Sequence, residues 1–296
     1  DTKESELVLE EAKSIFEKIK NNNKEIDSDF TEEDYKFDEN KAMNIISLSR
    51  AQICPMCSFI GGFVAQEIVK VTGKYEPINQ WKLFDLSFIK NNNIKQNISQ
   101  NNLNSKYGDF ISIFGEDLQK KLEETSLFII GAGAIGCEVL KNFAMMGIST
   151  NKNKNSTITD CDNIELSNLN RQFLFRQNNI GEAKSKTALN AIKKMNNDFN
   201  CKSLEYKVSK ETEKIFNQKF WNKIDYVILA VDNINARNYL NNECHKYSKS
   251  FIDSGTDGVR GRVDVIIPYV TAPLKIYEKN KNNIASHSCT TKYFPI

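Results

Sequence analysis

The sequence predicts a doubly wound α/β domain on a largely parallel sheet, preceded by a small helical unit. Three observations predict it. From Ser126 onward, short apolar runs alternate with amphipathic stretches. A glycine-rich turn, Gly131-Ala-Gly133-Ala-Ile-Gly136, follows the first apolar run and opens the first amphipathic stretch. Residues 1–75, by contrast, repeat their apolar positions mainly at helical spacing.

In the helical unit, residues 6–20 set Leu9, Ala12, Phe16 and Ile19 on one helical face. "NNNKEIDSDFTEED" reads as a loop, with Thr31-x-x-Asp34 as a start signal for the next helix. Residues 40–52 and 57–73 read as helices. The second, "CSFIGGFVAQEIVKVTG", is apolar on most faces, which predicts a buried helix. Gly61 and Gly62 within it each cost about 1 kcal/mol unless close helix packing exploits the missing side chains, and Gly73 is a stop. "QWKLFDL" (80–86) reads as a strand and "NNNIKQNISQNNLNSKYG" (91–108) as an exposed linker.

In the α/β part, "SLFII" (126–130) is a buried strand. The helix after the glycine turn runs through Met146, with Ile135, Val139, Leu140 and Phe143 on one face. "STITD" (156–160) is the second strand, "KSKTALNAIKKMN" the second helix and "KSLEYKV" the third strand. "DYVILAVD" (225–232) is apolar throughout and therefore central, and "SFIDSG" and "GRVDVIIP" complete the sheet. The result is a Rossmann-like arrangement.

Composition narrows the function classes. Hydrophobic residues make up 40% and charged residues 26% of the 296, as in an ordinary globular protein. A net charge of +2 gives no electrostatic argument for nucleic acid, so none is expected as a partner. No apolar run approaches the roughly 20 residues of a membrane span, so no membrane association is expected. Seven scattered cysteines show no disulfide framework, which favours a reducing compartment. The acidic start "DTKESELVLE" has neither a signal-peptide pattern nor an initiator Met, and reads as the start of an internal fragment.

The glycine turn carries the chemistry. Its glycines let the backbone turn tightly and approach phosphate oxygens, while the following helix N-terminus offers free N–H donors and positive dipole. Asp160 ends the next strand, where it can accept hydrogen bonds from ribose hydroxyls. A tight strand–helix turn without ligand is the plain alternative, and the motif alone does not separate NAD from ATP. The next segment favours ATP. "SNLNRQFLFR" places Asn168, Asn170, Arg171, Gln172 and Arg176 beyond Asp160, and Lys184 opens the second helix. Several cations at one set of strand ends suit a triphosphate. Asp232 ends the fourth strand with Asn233 beside it. There a carboxylate can hold Mg²⁺ across phosphates, cap the following helix, or do both.

These residues stand in longer motifs. "FGEDLQKKL", "GAGAIGCEVLKNFAMMGI", "TDCDNIELSNLNRQFLFR", "KSKTA", "AVDNINAR", "SGTDGVRG" and "CTTKYFP" follow one another in an order and spacing that resemble the ubiquitin-activating enzymes. The upstream "FIGGFVAQEIVKVTGKYEPINQWKLFD" resembles the segment before their active adenylation domain. The glycine turn and "NRQF" are shared with the wider ThiF/MoeB-like superfamily of adenylyltransferases. The resemblance divides the chain into a helical segment (1–75, helical-bundle and inactive-half remnant), an active adenylation domain (76–278) and the start of a catalytic-cysteine domain (279–296). It implies ATP and Mg²⁺ as cofactors. Gly131, Gly133, Ala134 and Gly136 would form the nucleotide loop, with Asp160 on the ribose, and Arg171 and Lys184 on the phosphates. Asn168, Gln172 and Asn233 would be further contacts and Asp232 the metal ligand. Arg171 and Lys184 would neutralise charge during adenylation of the ubiquitin C-terminal carboxylate. Cys289 would then take the acyl group as a thioester for transfer to ubiquitin-conjugating enzymes. The implied setting is cytoplasmic and nuclear, and the stop just after Cys289 reads as a boundary inside a longer protein. Family members commonly carry apolar residues and a proline before this cysteine, where "ASHS" stands here. An activator of another ubiquitin-like modifier, an NAD-dependent dehydrogenase and a non-catalytic scaffold domain are the alternatives.

Other signals rank below these. Cys54 and Cys57 in "CPMC" have zinc-like spacing, but no second ligand pair exists, and the buried helix makes them core thiols. Cys137 and Cys161 read as packed thiols and His245 as a surface residue. His287 and Lys292 are near enough to Cys289 in sequence to lower its pKa. "KIYEKNKNN" reads as a solvated loop.

Overall fold

The computed structural model describes residues 2–23, 36–49, 51–73, 75–80, 82, 84, 100–257 and 260–274. It divides into two compact units, one formed by residues 1–57 and 63–116 and the other by 58–62 and 117–296.

The first unit is helical. α1 (Thr2–Asn23) packs along α2 (Glu39–Leu48), whose N-terminus is capped by the Asp38 carboxylate accepting the Lys41 N–H. The predicted helix start at Thr31 lies outside the described residues, as do four of the seven residues of the predicted strand at 80–86. α3 (Cys54–Lys70) starts with a proline in its first turn and ends in a turn closed by Gly73 at φ +78°. It was predicted to be buried, and it is not: none of its residues is buried, and Phe59, Val64 and Ile68 are 46%, 54% and 65% exposed. Phe63 meets the Phe84 ring at 4.7 Å, but most of the apolar residues of α3 stay largely exposed. Gly61 and Gly62 have nothing among the described residues within 4 Å of where a Cβ would sit, so no close packing there offsets their cost. Cys54 is half-buried and Cys57 exposed, against the expected core thiols. The expected linker holds a short helix, α4 (Gln100–Leu103), which packs on α5 (Gly108–Phe114).

The second unit is the α/β domain. After α6 (Glu116–Glu123) come β1 (Leu127–Ile130), α7 (Ala134–Met145), β2 (Ser156–Thr159), α8 (Lys184–Met195) and β3 (Cys201–Leu204). Then follow α9 (Gln218–Trp221), β4 (Tyr226–Leu229), α10 (Ile234–Lys246), β5 (Ser250–Asp257) and β6 (Arg260–Ile266). The strand order is β3-β2-β1-β4-β5-β6, with all neighbours parallel except the antiparallel β5–β6 pair.

The sequence explains this. β1 is "LFII", buried at all four positions, which only a central strand covered on both faces can satisfy. Its residues alternate between two cores. Leu127 and Ile129 pack with Ile158 and with Leu140 and Ile192 of α7 and α8. Phe128 and Ile130 pack with Val227, Leu229, Trp221 and Leu240 on the other side. Phe128 meets Trp221 edge to face at 5.7 Å, and Trp221 stacks on Tyr247 at 5.1 Å. The inner stripe of α7 is Gly136, Cys137, Leu140 and Ala144, about a quarter of a turn from the predicted stripe. Val139 and Phe143 only flank it. Gly136 tolerates this because it presses on the glycine turn, where a larger residue would not fit.

His245, expected on the surface, is half-buried. Its ring packs edge to face on Phe251 and Tyr269, and Nδ1 lies 2.8 Å from the Asn241 carbonyl. Among the described residues no helix is long and apolar enough to cross a membrane.

Candidate functional site

The strand order reverses direction between β1 and β4. β1 leads outward to β2 and β3, β4 to β5, so their carboxyl ends open a crevice at which α/β sheets bind ligands. The glycine turn lies at that point. Gly131 has φ +104°, and a Cβ there would come within 2.4 Å of the Ala230 carbonyl oxygen just after β4. A Cβ on Gly136 would meet the Gly131 oxygen at 2.2 Å. These two glycines are therefore required by the fold of the turn itself. Gly133 differs: among the described residues, its Cβ position would reach Gln172 Nε2 alone, at 4.0 Å. The open space at Gly133 faces the start of α7, where Ala134 is the first helical residue and no side chain caps the helix.

Asp160 braces the turn. One carboxylate oxygen accepts the Ala132 N–H at 2.6 Å and the other the Asp162 N–H at 2.9 Å. Burial pushes the Asp160 carboxyl above the usual carboxylate range, opposed by these two N–H groups and by the Lys184 charge. Lys184, at the start of α8, is 8% exposed, and its Nζ lies 2.9 Å from Oδ2 of Asp162. The Lys184 N–H also donates to the Asp162 carbonyl at 3.0 Å, which fixes the helix start.

A 3₁₀ turn over Leu166–Asn168 carries the next group. The Asn168 side chain accepts the Glu165 N–H at 2.9 Å, and the Asn168 carbonyl accepts the N–H groups of Arg171 and Gln172. This fixes Gln172, which is 4% exposed and whose Oε1 has no hydrogen-bond partner among the described residues. Gln172 Nε2 is the amide atom nearest the glycine turn, and the buried, unpaired oxygen beside it is expensive unless a group there donates to it. Arg171 Nη1 donates to the Ser167 carbonyl and to Asn170 Oδ1, both at 3.0 Å, and Arg176 bonds the Phe173 and Phe175 carbonyls. All these acceptors are neutral, so both guanidinium charges stay uncompensated by them.

On the other side of the crevice, Asn233 caps α10 by accepting the Ala236 N–H at 2.7 Å. The capping role expected as an alternative for Asp232 therefore belongs to its neighbour. Asp232 itself is exposed at the end of the β4 loop.

The structure thus brings Gly131, Gly133, Ala134, Gly136, Asp160, Asn168, Gln172 and Lys184 together around the turn, with Asp232 and Asn233 following the adjacent strand. Cys289, His287, Lys292 and the 275–283 stretch lie outside the described residues. Two residues escaped the sequence reading. Asp162, the partner of Lys184, repeats the Asp160 carboxylate two positions on, as an alternation at a strand end would place it. Arg237 is anchored beside Asp232, and its isolated charge near the apolar Leu240 was the available signal. Cys137 is buried, and burial raises its thiol to about 12. Cys161 is exposed rather than packed, because it sits on the outer side of the loop between two aspartates. Its thiol too is raised, by desolvation and by the Asp162 and Asp160 charges.

The chain is similar to known proteins along most of its length. It is 41% identical over 243 residues to "Ubiquitin-activating enzyme E1 2" of Triticum aestivum, covering 80% of this chain and 22% of that protein. It is 38% identical over 263 residues to "Ubiquitin-like modifier-activating enzyme 1" of Homo sapiens, covering 87% and 25%. It therefore spans about a quarter or less of the length of these relatives. Among solved structures, the crystal structure of Escherichia coli MccB with ATP superposes with a TM-score of 0.50 at 22% identity over 57% of this chain and 50% of that one, a likeness of fold. The ThiF family model matches residues 103–294, which takes in all six strands and every loop at the carboxyl edge of the sheet. On a match of that extent, the chain belongs to the ThiF family.

Proposed function

We propose that this chain is the adenylating part of a ubiquitin-activating enzyme. The observation that carries the reading is the 41% identity across 80% of the chain to a protein bearing that name. The site fits ATP on its own terms. The open side of Gly133 leaves room for a ligand, the unpaired Gln172 oxygen can accept from one of its donors, and the Lys184 ammonium is paired with an exposed carboxylate that a phosphate can displace.

In this reading Asp160 accepts the ribose hydroxyls, and Gly131, Gly133, Ala134 and Gly136 admit the phosphates to the α7 N-terminus. Asn168 holds the turn that presents Gln172, and Gln172 and Asn233 bound the nucleotide. Arg171 and Lys184 offset phosphate charge. Asp232 would hold Mg²⁺, which supplies further positive charge at the phosphates. The ubiquitin carboxylate attacks the α-phosphorus, pyrophosphate leaves, and an acyl-adenylate forms. The protein's work in this step is alignment and charge neutralisation. The Cys289 thiolate then attacks the activated carbonyl carbon and AMP leaves, giving the thioester that passes to a ubiquitin-conjugating enzyme.

Because one relative is named for ubiquitin-like modifiers in general, the test uses a panel of modifiers. Full-length protein is assayed for modifier-dependent exchange of pyrophosphate into ATP. Exchange with ubiquitin, kept by Cys289→Ala and lost by Asp232→Ala, is the expected result. Exchange only with another modifier, or loss in both variants, overturns the reading.

A further inference from the structure

Arg237, on α10, has no part in the steps above, yet it is tied to the site from three directions. Its Nη2 donates to the Val231 carbonyl at 2.7 Å and to the Ser254 carbonyl at 2.9 Å. Val231 leads directly into Asp232, and Ser254 lies in the neighbouring strand β5. Its Nε lies 3.4 Å from Oδ1 of Asp253, a carboxylate that is 0% exposed. The other oxygen of Asp253 is taken by Arg262 at 2.7 Å. Gly255 leaves room for the guanidinium: a Cβ there would fall 2.8 Å from Nη2.

The physical consequence is local rigidity beside Asp232. A buried carboxylate keeps its charge partners close. With Arg262 covering one oxygen of Asp253, the other faces Arg237 and holds that guanidinium in place. From there Arg237 grips the carbonyl of the peptide bond joining Val231 to Asp232, while Asn233 is fixed on the other side by its cap on α10. Asp232 is thereby anchored on both flanks while the residue itself stays exposed, after β4.

We infer that Arg237 is a positioning residue for Asp232, fixing the Val231–Asp232 peptide through its carbonyl so that the carboxylate meets the magnesium ion of the nucleotide in a set direction. The inference rests on the proposed reading of Asp232. Groups that orient a metal ligand in this way typically change metal affinity by about 10- to 100-fold when removed.

The test titrates ATP calorimetrically at a series of Mg²⁺ concentrations into full-length protein and its variants. Wild type should bind ATP more tightly as Mg²⁺ rises, and Asp232→Asn should lose that dependence. Arg237→Gln should raise the Mg²⁺ midpoint about tenfold while leaving ATP affinity without Mg²⁺ at the wild-type value. Arg237→Lys, which keeps a donor for the Val231 carbonyl, should recover part of the shift. Gly255→Ala crowds the guanidinium without removing its charge. It should raise the midpoint in the same sense, and it carries the test if Arg237→Gln does not fold. Wild-type midpoints in both Arg237→Gln and Gly255→Ala, with Asp232→Asn still defective, overturn the positioning role alone. Absence of any Mg²⁺ dependence in wild type overturns the reading of Asp232, and the inference with it.

Discussion

Replacing Lys184 by methionine removes one buried ammonium and keeps most of the aliphatic bulk. In the folded chain that ammonium is 2.9 Å from Asp162, but the Asp162 side chain is 63% exposed, so solvent screens the pair. Its contribution to stability is then about 0.2–1 kcal/mol, and Lys184→Met should unfold at nearly the wild-type denaturant concentration. Toward ATP the loss is larger. A hydrogen bond to a charged partner contributes about 1.5–3 kcal/mol net. Wild type must first give up the Asp162 pair, which the variant lacks, leaving a difference of about 0.5–2.8 kcal/mol. That corresponds to about 2- to 100-fold in Kd. Asp162→Asn works in the opposite direction: it frees Lys184 of its competitor and should tighten ATP by up to about fivefold. Calorimetric titration with ATP and with adenosine separates the effects, because adenosine has no phosphate for Lys184 to meet. Equal weakening of ATP and adenosine in Lys184→Met, or weaker ATP binding in Asp162→Asn, would refute the assignment.

Further expectations follow from the same structure. Gly131→Ala places a Cβ 2.4 Å from the Ala230 oxygen at φ +104° and should cost about 1–3 kcal/mol or more in urea unfolding. Gly133→Ala has free space, so it should keep wild-type stability and weaken only ATP. Asp160 holds its proton to higher pH in the folded chain than an ordinary aspartate does. Wild-type stability should therefore fall as pH rises from the unfolded aspartate value through the folded one, and Asp160→Asn should abolish that slope in pH-dependent unfolding. ATP affinity, which needs the carboxylate, should weaken on acidification at pH values where an ordinary aspartate is still ionised. Under native conditions iodoacetamide should label exposed Cys57 and leave Cys137 and Cys201, both raised to about 12 by burial, unmodified by mass spectrometry.

The sheet was legible because its strands and helices differ in period. "LFII" and "YVIL" are continuous apolar runs bounded by polar turns, and Lys184–Met195 follows a helical period to within a residue of its real end. The glycine turn was legible because two of its glycines answer to backbone contacts no other residue allows. What the sequence did not show was pairing. Asp162 is one of many acidic residues until the fold brings it to Lys184. Arg237, Asp253 and Arg262 come from a helix and two strands: the β5–β6 pairing brings Arg262 to Asp253, and α10 brings Arg237 to it. The α3 error has a different cause: hydrophobicity tells how strongly a helix gains from cover, not whether the described residues provide it. Cys161 and His245 were misjudged for the same reason, since exposure depends on which side of a loop or helix meets solvent.

The claim on which the rest depends is that the crevice between β1 and β4 takes a nucleoside triphosphate. The most direct measurement is a calorimetric titration of the full-length protein with ATP–Mg²⁺ and, separately, with NAD. Saturable ATP–Mg²⁺ binding, weakened in Lys184→Met and Asp232→Asn, with no heat from NAD, is the predicted result. Binding of NAD without binding of ATP–Mg²⁺ would contradict it and make the glycine turn a dinucleotide site.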